Sequence, residues 1–182
     1  MFKKTILIIS TLSIFLLGGC SKKDDANDMV SKNEFVLTGL DKKEYVVKQQ
    51  GSGFVLDGAK GKIVIFDIFA TWCPPCQDTA SHLTSLQEKF KNDVIIIGLT
   101  IEDKVANSKL TEFATKNHAK YILVNSDQNR RLSDAIVNEL KLGERYPIPL
   151  MVLYKDGKLV NHFVGVTEEE FIESEIKNAL GK

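Results

Sequence analysis

The sequence has few cysteines, no excess of charge and no apolar run of membrane-spanning length, and each shortage excludes a class of protein. It carries 24 basic and 24 acidic side chains, so the formal net charge is zero at pH 7. A nucleic-acid-binding protein needs a basic face, and we therefore expect no nucleic-acid partner. The three cysteines include only one close pair, and the three histidines show no ligand spacing. The chain thus lacks the four ligands of a structural zinc site, and we expect no bound metal.

The longest apolar run lies near the N-terminus, at Ile6–Leu17, and is interrupted only by three hydroxyl residues. Its 12 residues are too few to cross a bilayer comfortably, but they suit the apolar region of a signal peptide. Two basic residues, Lys3 and Lys4, precede the run, as expected for such a segment. Residues 1–19 are therefore predicted to be a signal peptide.

The apolar run ends in Leu17-Gly18-Gly19-Cys20, which resembles a bacterial lipobox. This resemblance implies that Cys20 receives lipid and becomes the first residue of a membrane-anchored lipoprotein. Residues 20–33 would then form a flexible tether, and residues 34–182 a domain facing the periplasm or the cell exterior, where disulfides persist. Two alternatives stay open: an ordinary secretory signal in which Cys20 is incidental, and an uncleaved anchor.

After the predicted tether, short apolar runs of strand length alternate with segments of helical periodicity. This order predicts an α/β fold, with a central mixed sheet, helices on both faces and an N-terminal β-hairpin extension. Asp156-Gly157 predicts a tight hairpin, and Thr167 with Glu170 predicts a capping box at the last helix. The predicted strands are 35–37, 45–47, 54–56, 62–69, 94–99, 121–124, 150–154 and 158–164; the predicted helices are 73–90, 108–117, 130–142 and one ending at 180.

Two of the three cysteines, Cys73 and Cys76, lie between a buried strand and an amphipathic helix. They could form a structural disulfide, a metal clip or a reactive pair. A disulfide that closes so small a loop restrains little of the unfolded chain, which disfavours the structural role. At a helix N-terminus, free N–H groups and the helix dipole favour a thiolate. We therefore expect Cys73 to be an exposed nucleophile and Cys76, one turn further in, to be the resolving thiol.

The residues Phe69-Ala70-Thr71-Trp72-Cys73-Pro74-Pro75-Cys76 resemble the active site of the thioredoxin superfamily. With the lipobox and the extra αβ unit before the last hairpin, the chain resembles the membrane-anchored TlpA/ResA-like branch. The resemblance covers roughly residues 62–180. It implies a thioredoxin-like fold and an enzyme that exchanges dithiols with protein disulfides without a cofactor. One departure is Thr79, since TlpA/ResA-like chains often have Glu three residues after the second cysteine.

The same resemblance implies roles for three further residues, Asp67, Ile148 and Pro149. Asp67 corresponds to a buried acid that manages the proton of the resolving cysteine, and a carboxyl group in an apolar strand should have a raised pKa. The alternative is an Asp at a strand end that faces solvent. Pro149 corresponds to a cis-proline, with Pro147 as a second candidate, and Ile148 would pair its backbone with the substrate chain. Apart from the resemblance, Trp72 is expected to pack beside the thiols and shape the surface there, and Trp72, Ile148 and Pro149 are expected to bind the substrate.

The direction of electron flow does not follow from the residues. The TlpA/ResA-like resemblance favours a monomeric reductant of protein disulfides, active in cytochrome c maturation and recharged by a membrane electron donor. Two alternatives stay open. One is a disulfide oxidase or isomerase of the same fold, and the other is a Cu(I) chaperone that holds the ion on Cys73 and Cys76.

Overall fold

The structure of the protein, a computed structural model, describes residues 32–182. The predicted signal peptide, Cys20 and all but the last two residues of the predicted tether lie outside the described residues. Among residues 32–182, no helix is long and apolar enough to cross a membrane.

The described chain contains eight strands and four helices in the order predicted from the sequence. Long apolar runs form the inner strands, and segments with apolar residues three or four apart form the helices. The elements are β1 (Glu34–Thr38), β2 (Glu44–Gln50), β3 (Gly53–Leu56), β4 (Ile63–Phe69), α1 (Pro74–Lys89), β5 (Val94–Thr100), α2 (Asn107–Lys116), β6 (Ile122–Val124), α3 (Gln128–Glu139), β7 (Leu150–Lys155), β8 (Lys158–Val164) and α4 (Glu169–Leu180).

Five strands form a mixed central sheet in the order β6-β5-β4-β7-β8. Strand β4 runs parallel to β5 and antiparallel to β7, and it is buried along its whole length. This explains its almost continuous apolar sequence, because a central strand covered on both faces has no solvent side. The predicted central mixed sheet is confirmed, and the end of β4 leads directly into the cysteine pair.

Each face of the central sheet has its own apolar core. One face carries α1, α2 and α4, whose buried residues pack with Ile65 and Phe69 of β4. The other face carries α3 and the small sheet β1-β2-β3, which pack with Phe66 and Ile68. Successive side chains of a strand point to opposite faces, so Asp67 lies on the face of Ile65 and Phe69. The prediction of helices on both faces is confirmed.

The small N-terminal sheet covers one face of the central sheet. The ring of Phe54 contacts that of Tyr154 edge-on, with centroids 5.5 Å apart. Gly53 lies so close to the β7–β8 turn that a Cβ on it would stand 1.5 Å from the carbonyl oxygen of Gly157. A single bridge, Gly39 to Val124, links the small sheet to the edge strand β6. The predicted hairpin extension is therefore a three-stranded sheet that packs on the core.

Three local predictions are decided by the structure. Asp156 and Gly157 both have positive φ angles, 49° and 78°, as the predicted hairpin turn requires. The predicted capping box is wrong, because α4 begins after Glu168 and has no side-chain cap. Helix α3 ends at Glu139, three residues before the predicted end at 142, since Lys141 adopts a left-handed backbone with φ 55°.

Candidate active site

The cysteine pair lies at the N-terminus of α1, in its disulfide-bonded form. Cys73 is the N-cap residue, and its Sγ accepts a hydrogen bond of 3.3 Å from the backbone N–H of Cys76. Pro74 and Pro75 occupy the first two helical positions, and neither has an N–H group. The amide of Cys76 is therefore the first free donor of the helix, and it points at the sulfur of Cys73.

Both cysteines are buried in this form. The relative exposure of Cys73 is 3% and that of Cys76 is 2%. The expectation that Cys73 is exposed is thus wrong for the disulfide-bonded protein. The reason is the loop before β7, which covers this side of the pair: the carbonyl oxygen of Ile148 lies 3.9 Å from Cys73 Sγ. Exposure does not distinguish the two sulfurs here, but the hydrogen bond from the Cys76 amide does.

The loop that precedes Cys73 is held by a carboxylate from the end of the next strand. Glu102 accepts hydrogen bonds from the backbone N–H of Thr71 at 2.6 Å and from its hydroxyl at 3.0 Å. The side-chain amide of Gln77 donates to the carbonyl oxygen of Thr71 at 2.9 Å. Three bonds at one residue therefore fix the backbone two positions before the first cysteine. No local feature of the sequence marks Glu102 as part of the site, because its partner is 31 residues away.

The loop before β7 contains the cis peptide bond Ile148–Pro149, so Pro149 and not Pro147 is the cis-proline. Pro149 is buried, and its carbonyl oxygen accepts a hydrogen bond of 2.8 Å from the backbone N–H of Gly165. Ile148 is half-buried between the two core clusters. The structure thus brings the Ile148 backbone next to Cys73, and its pairing with a substrate chain stays a prediction.

Trp72 has a relative exposure of 63%, so the expectation that it packs beside the thiols is wrong. It borders a groove of about 150 Å³ between this loop and α2, which is also lined by Gln77, Phe113 and Lys116. A large ring that projects into solvent beside a reactive pair does not stabilise the core. Its position therefore fits contact with another molecule.

Asp67 lies in β4 on the face that carries the cysteine pair, and its exposure is 3%. The alternative of a solvent-facing Asp is therefore excluded. Tyr121 donates a hydrogen bond of 2.9 Å to Asp67 Oδ2, whereas Oδ1 has no hydrogen-bond partner among the described residues. Burial raises the pKa of Asp67 from its usual 3.8 to about 7, although the bond from Tyr121 lowers it. The carboxyl group can therefore gain or lose a proton near neutral pH.

Tyr121 was not singled out by sequence analysis, although it is the residue that contacts Asp67. A single Tyr before a short apolar strand has no local feature that separates it from a core residue. Burial and the neighbouring charge of Asp67 raise the pKa of Tyr121 well above its ordinary value, so its hydroxyl stays protonated and donates. Among residues 32–182, no group of three or more His, Cys, Asp or Glu side chains is arranged to hold a metal ion.

Comparison with known families agrees with this geometry. The profile of the Redoxin family matches residues 29–180, which is most of the chain. The chain belongs to the Redoxin family. Thiol-disulfide oxidoreductase ResA from Bacillus anthracis is 25% identical over 178 residues, covering 96% of this chain and 97% of that protein. Thiol:disulfide interchange protein DsbE from Vibrio cholerae is 30% identical over 136 residues, covering 71% of each chain.

Solved structures share the fold at lower sequence identity. A thiol:disulfide interchange protein of the thioredoxin family from Chlorobium tepidum has a TM-score of 0.62 at 19% identity, covering 82% of this chain and 94% of that one. StoA from Bacillus subtilis has a TM-score of 0.53 at 16% identity, covering 78% and 95%. The predicted TlpA/ResA-like thioredoxin fold is confirmed. The named relatives and the Cys73–Cys76 pair make the chain a protein thiol-disulfide oxidoreductase.

Proposed function

We propose that the protein reduces disulfides of other proteins outside the cytoplasm, with Cys73 as nucleophile and Cys76 as resolving thiol. The observation that carries this assignment of roles is the Cys76 amide, which donates to Cys73 Sγ at the N-terminus of α1. A hydrogen bond to sulfur and the positive end of the helix dipole both favour the thiolate. We therefore expect the pKa of reduced Cys73 to lie below that of free cysteine, about 8.5.

The exchange proceeds in two displacements at sulfur. The Cys73 thiolate attacks one sulfur of the substrate disulfide, forms a mixed disulfide and expels the other substrate sulfur as a thiolate. The thiolate of Cys76 then attacks Cys73 Sγ and releases the second substrate thiolate. Two electrons pass from the protein dithiol to the substrate, and the released thiolates take up two protons. The protein ends with the Cys73–Cys76 disulfide that the structure contains.

We propose that Asp67 is the base that accepts the proton of the Cys76 thiol. The carboxyl group is buried on the face of the sheet that carries the pair, and a base works best when its pKa is close to the ambient pH. Its pKa of about 7 supports this role. The carboxylate accepts the Cys76 proton as the thiolate forms, and it returns that proton to solvent after the product leaves.

Substrate binding is assigned to the surface around Cys73. The backbone of Ile148 lies beside the sulfur, held by the cis bond to Pro149. An extended substrate segment that pairs with this backbone would bring its own disulfide to Cys73. The exposed ring of Trp72, the residue before Cys73, supplies apolar contact area for the substrate. The partners are therefore proteins with disulfides or thiols, bound through their backbone near the reacting sulfur.

We further infer that Cys20 anchors the protein to a bacterial membrane, with the domain in the periplasm or at the cell exterior. The support is the lipobox-like sequence before Cys20. Incorporation of labelled palmitate by the full chain, and its loss in Cys20→Ala, is the expected result. A membrane electron donor would reduce the Cys73–Cys76 disulfide after each turnover. We propose a role in cytochrome c maturation, with the haem-attachment cysteines as substrate, because the TlpA/ResA-like resemblance of the sequence favours it.

The direction of electron flow is tested by the reduction potential of the pair. A reductant requires a potential well below that of the strongly oxidising members of this class of protein, about −120 mV. A measured value near that figure would favour the oxidase instead. Equilibration with glutathione buffers, followed by alkylation of free thiols, gives the value directly.

The roles of the two cysteines and the identity of the partners are tested by trapping. In cells, Cys76→Ser should accumulate mixed disulfides between Cys73 and the natural substrates, because the resolving step is lost. The matched control is Cys73→Ser, which should accumulate none; adducts through Cys20 would persist in it and be recognised. Equal trapping by the two variants would contradict the assigned roles. Mass spectrometry of the trapped partners would decide whether apocytochromes are among them.

A further inference from the structure

A gap in the side-chain layer of the central sheet lies next to Asp67. Gly98 of β5 is the direct cross-strand neighbour of Asp67 on β4 and of Leu123 on β6. A Cβ on Gly98 would stand 2.6 Å from Cδ2 of Leu123, 3.1 Å from Cε2 of Tyr121 and 3.2 Å from Cε1 of Phe69. All three distances are shorter than ordinary contacts, so the glycine leaves space that the Leu123 side chain and the Tyr121 and Phe69 rings share.

The Tyr121 side chain uses this space to cross a whole strand. The residue immediately precedes β6, and its hydroxyl reaches Asp67 on β4, past the intervening β5. Both residues are buried, with exposures of 8% and 3%. Tyr121 is the one hydrogen-bond donor to the Asp67 side chain among the described residues. The carboxyl group is therefore oriented by a single contact.

That contact acts on the carboxylate more than on the neutral acid. Burial in an apolar core disfavours the charged form, and a donated hydrogen bond stabilises it. The two effects oppose each other at Asp67, and together they leave its pKa at about 7. Without the hydroxyl, the carboxylate would have no donor among the described residues, and its pKa would rise further.

We propose that Tyr121, admitted by Gly98, is a positioning residue that holds Asp67 in the orientation and ionised form in which it accepts the Cys76 proton. The inference rests on the proposed function. Its place is the second displacement: the Cys76 S–H bond breaks, the proton passes to an Asp67 oxygen, and the sulfur electron pair forms the bond to Cys73 Sγ. The mixed disulfide breaks at the same time, and the substrate thiolate leaves with its electron pair.

The test compares Tyr121→Phe with Tyr154→Phe. Tyr154 is an apt control because it is also buried, its hydroxyl has no hydrogen-bond partner within residues 32–182, and it belongs to the core on the other face of the sheet. Single-turnover release of a thiol from a preformed mixed disulfide on Cys73 is followed by stopped flow from pH 5 to 9. In parallel, the ¹³C carboxyl shift of Asp67 is titrated by NMR in the oxidised protein.

In Tyr121→Phe, the midpoint of the pH–rate profile and the NMR midpoint of Asp67 should both rise by about one pH unit, which is tenfold in the ionised fraction at low pH. Tyr154→Phe should leave both midpoints unchanged. In the Asp67→Asn background, Tyr121→Phe should have no effect on the profile. Gly98→Ala, whose Cβ would crowd Leu123 as well as the Tyr121 ring, should shift the midpoints in the same direction. Tyr121→Leu, which also lacks the hydroxyl, serves if Tyr121→Phe folds poorly.

The outcomes separate this inference from the proposed function. An unchanged Asp67 midpoint in Tyr121→Phe overturns the inference, whatever the enzyme does. A shifted NMR midpoint with an unshifted rate profile also overturns it, because Asp67 then does not take the proton. If the unsubstituted protein releases no thiol from the mixed disulfide at any pH, the proposed function itself fails.

Discussion

Replacing Asp67 with asparagine is expected to stabilise the fold at neutral pH while slowing the exchange reaction. The carboxyl group is fully buried, and one of its oxygens has no hydrogen-bond partner among the described residues. Asparagine has nearly the same shape, can still accept the bond from Tyr121 and never ionises. The variant therefore removes a buried negative charge and leaves the packing intact.

The magnitude follows from the pKa of Asp67, about 7 in the folded protein against 3.8 for the free side chain. Below about pH 4 both states hold the proton, so the group has no effect on the free energy of unfolding. Between about pH 4 and 7 the unfolded chain has lost the proton and the folded protein keeps it. Stability then falls by about 1.4 kcal/mol per pH unit. Above about pH 7 the loss reaches a plateau of about 4 kcal/mol, a large part of a typical total of about 5–15 kcal/mol.

The assay is urea unfolding of the oxidised protein and of oxidised Asp67→Asn at each pH from 4 to 8.5. The free energies of unfolding of the two proteins should be nearly equal at pH 4. By pH 8 the free energy of unfolding of Asp67→Asn should exceed that of the parent by about 4 kcal/mol. With a denaturant slope near 2 kcal/mol/M, this difference raises the urea midpoint of the variant by about 2 M. In single-turnover measurements the variant should resolve mixed disulfides more slowly, because the base for Cys76 is gone.

A difference between the two proteins that does not change with pH would refute the reasoning. It would mean that Asp67 loses its proton at the same pH in the folded and unfolded chains. A variant less stable than the parent at pH 8 would also refute it, since the buried carboxylate would then be a net stabilising group.

Two further substitutions test the scaffold. Gly53→Ala should lower the free energy of unfolding by about 3 kcal/mol, because its Cβ would stand 1.5 Å from the carbonyl oxygen of Gly157. Gly51→Ala is the control: its Cβ meets open space, and its positive φ should lower the free energy of unfolding by only about 1 kcal/mol, measured with urea. Equal losses in the two variants would contradict the role of the contact between Gly53 and Gly157. Glu102→Gln should cost about 1–3 kcal/mol, because an amide cannot reproduce the charged acceptor of both Thr71 bonds. The same change at exposed Glu112 should cost almost nothing, and a similar loss there would contradict the role of Glu102.

Features that depend on neighbouring residues were predictable from the sequence. Three features each depend on residues that are close together in the chain: the apolar run of β4, the helical spacing in α1 and the Asp156-Gly157 turn. The structure has all three. The cysteine pair was recognisable because strand, loop and helix follow one another in the chain. Local errors arose where backbone conformation overrode composition, as at Lys141, which ends α3 early.

The sequence by itself determined the order of elements, the family and the position of the reactive pair, because each depends on residues within one or two turns of one another. Only the tertiary structure decided what surrounds that pair. It brings Glu102 to Thr71 across 31 residues, and Tyr121 to Asp67 across 54. Such contacts depend on which strands become neighbours and on where a missing side chain, as at Gly98, leaves room. The acidity of a buried group is set by those neighbours, which is why the fold had to be known before Asp67 could be understood.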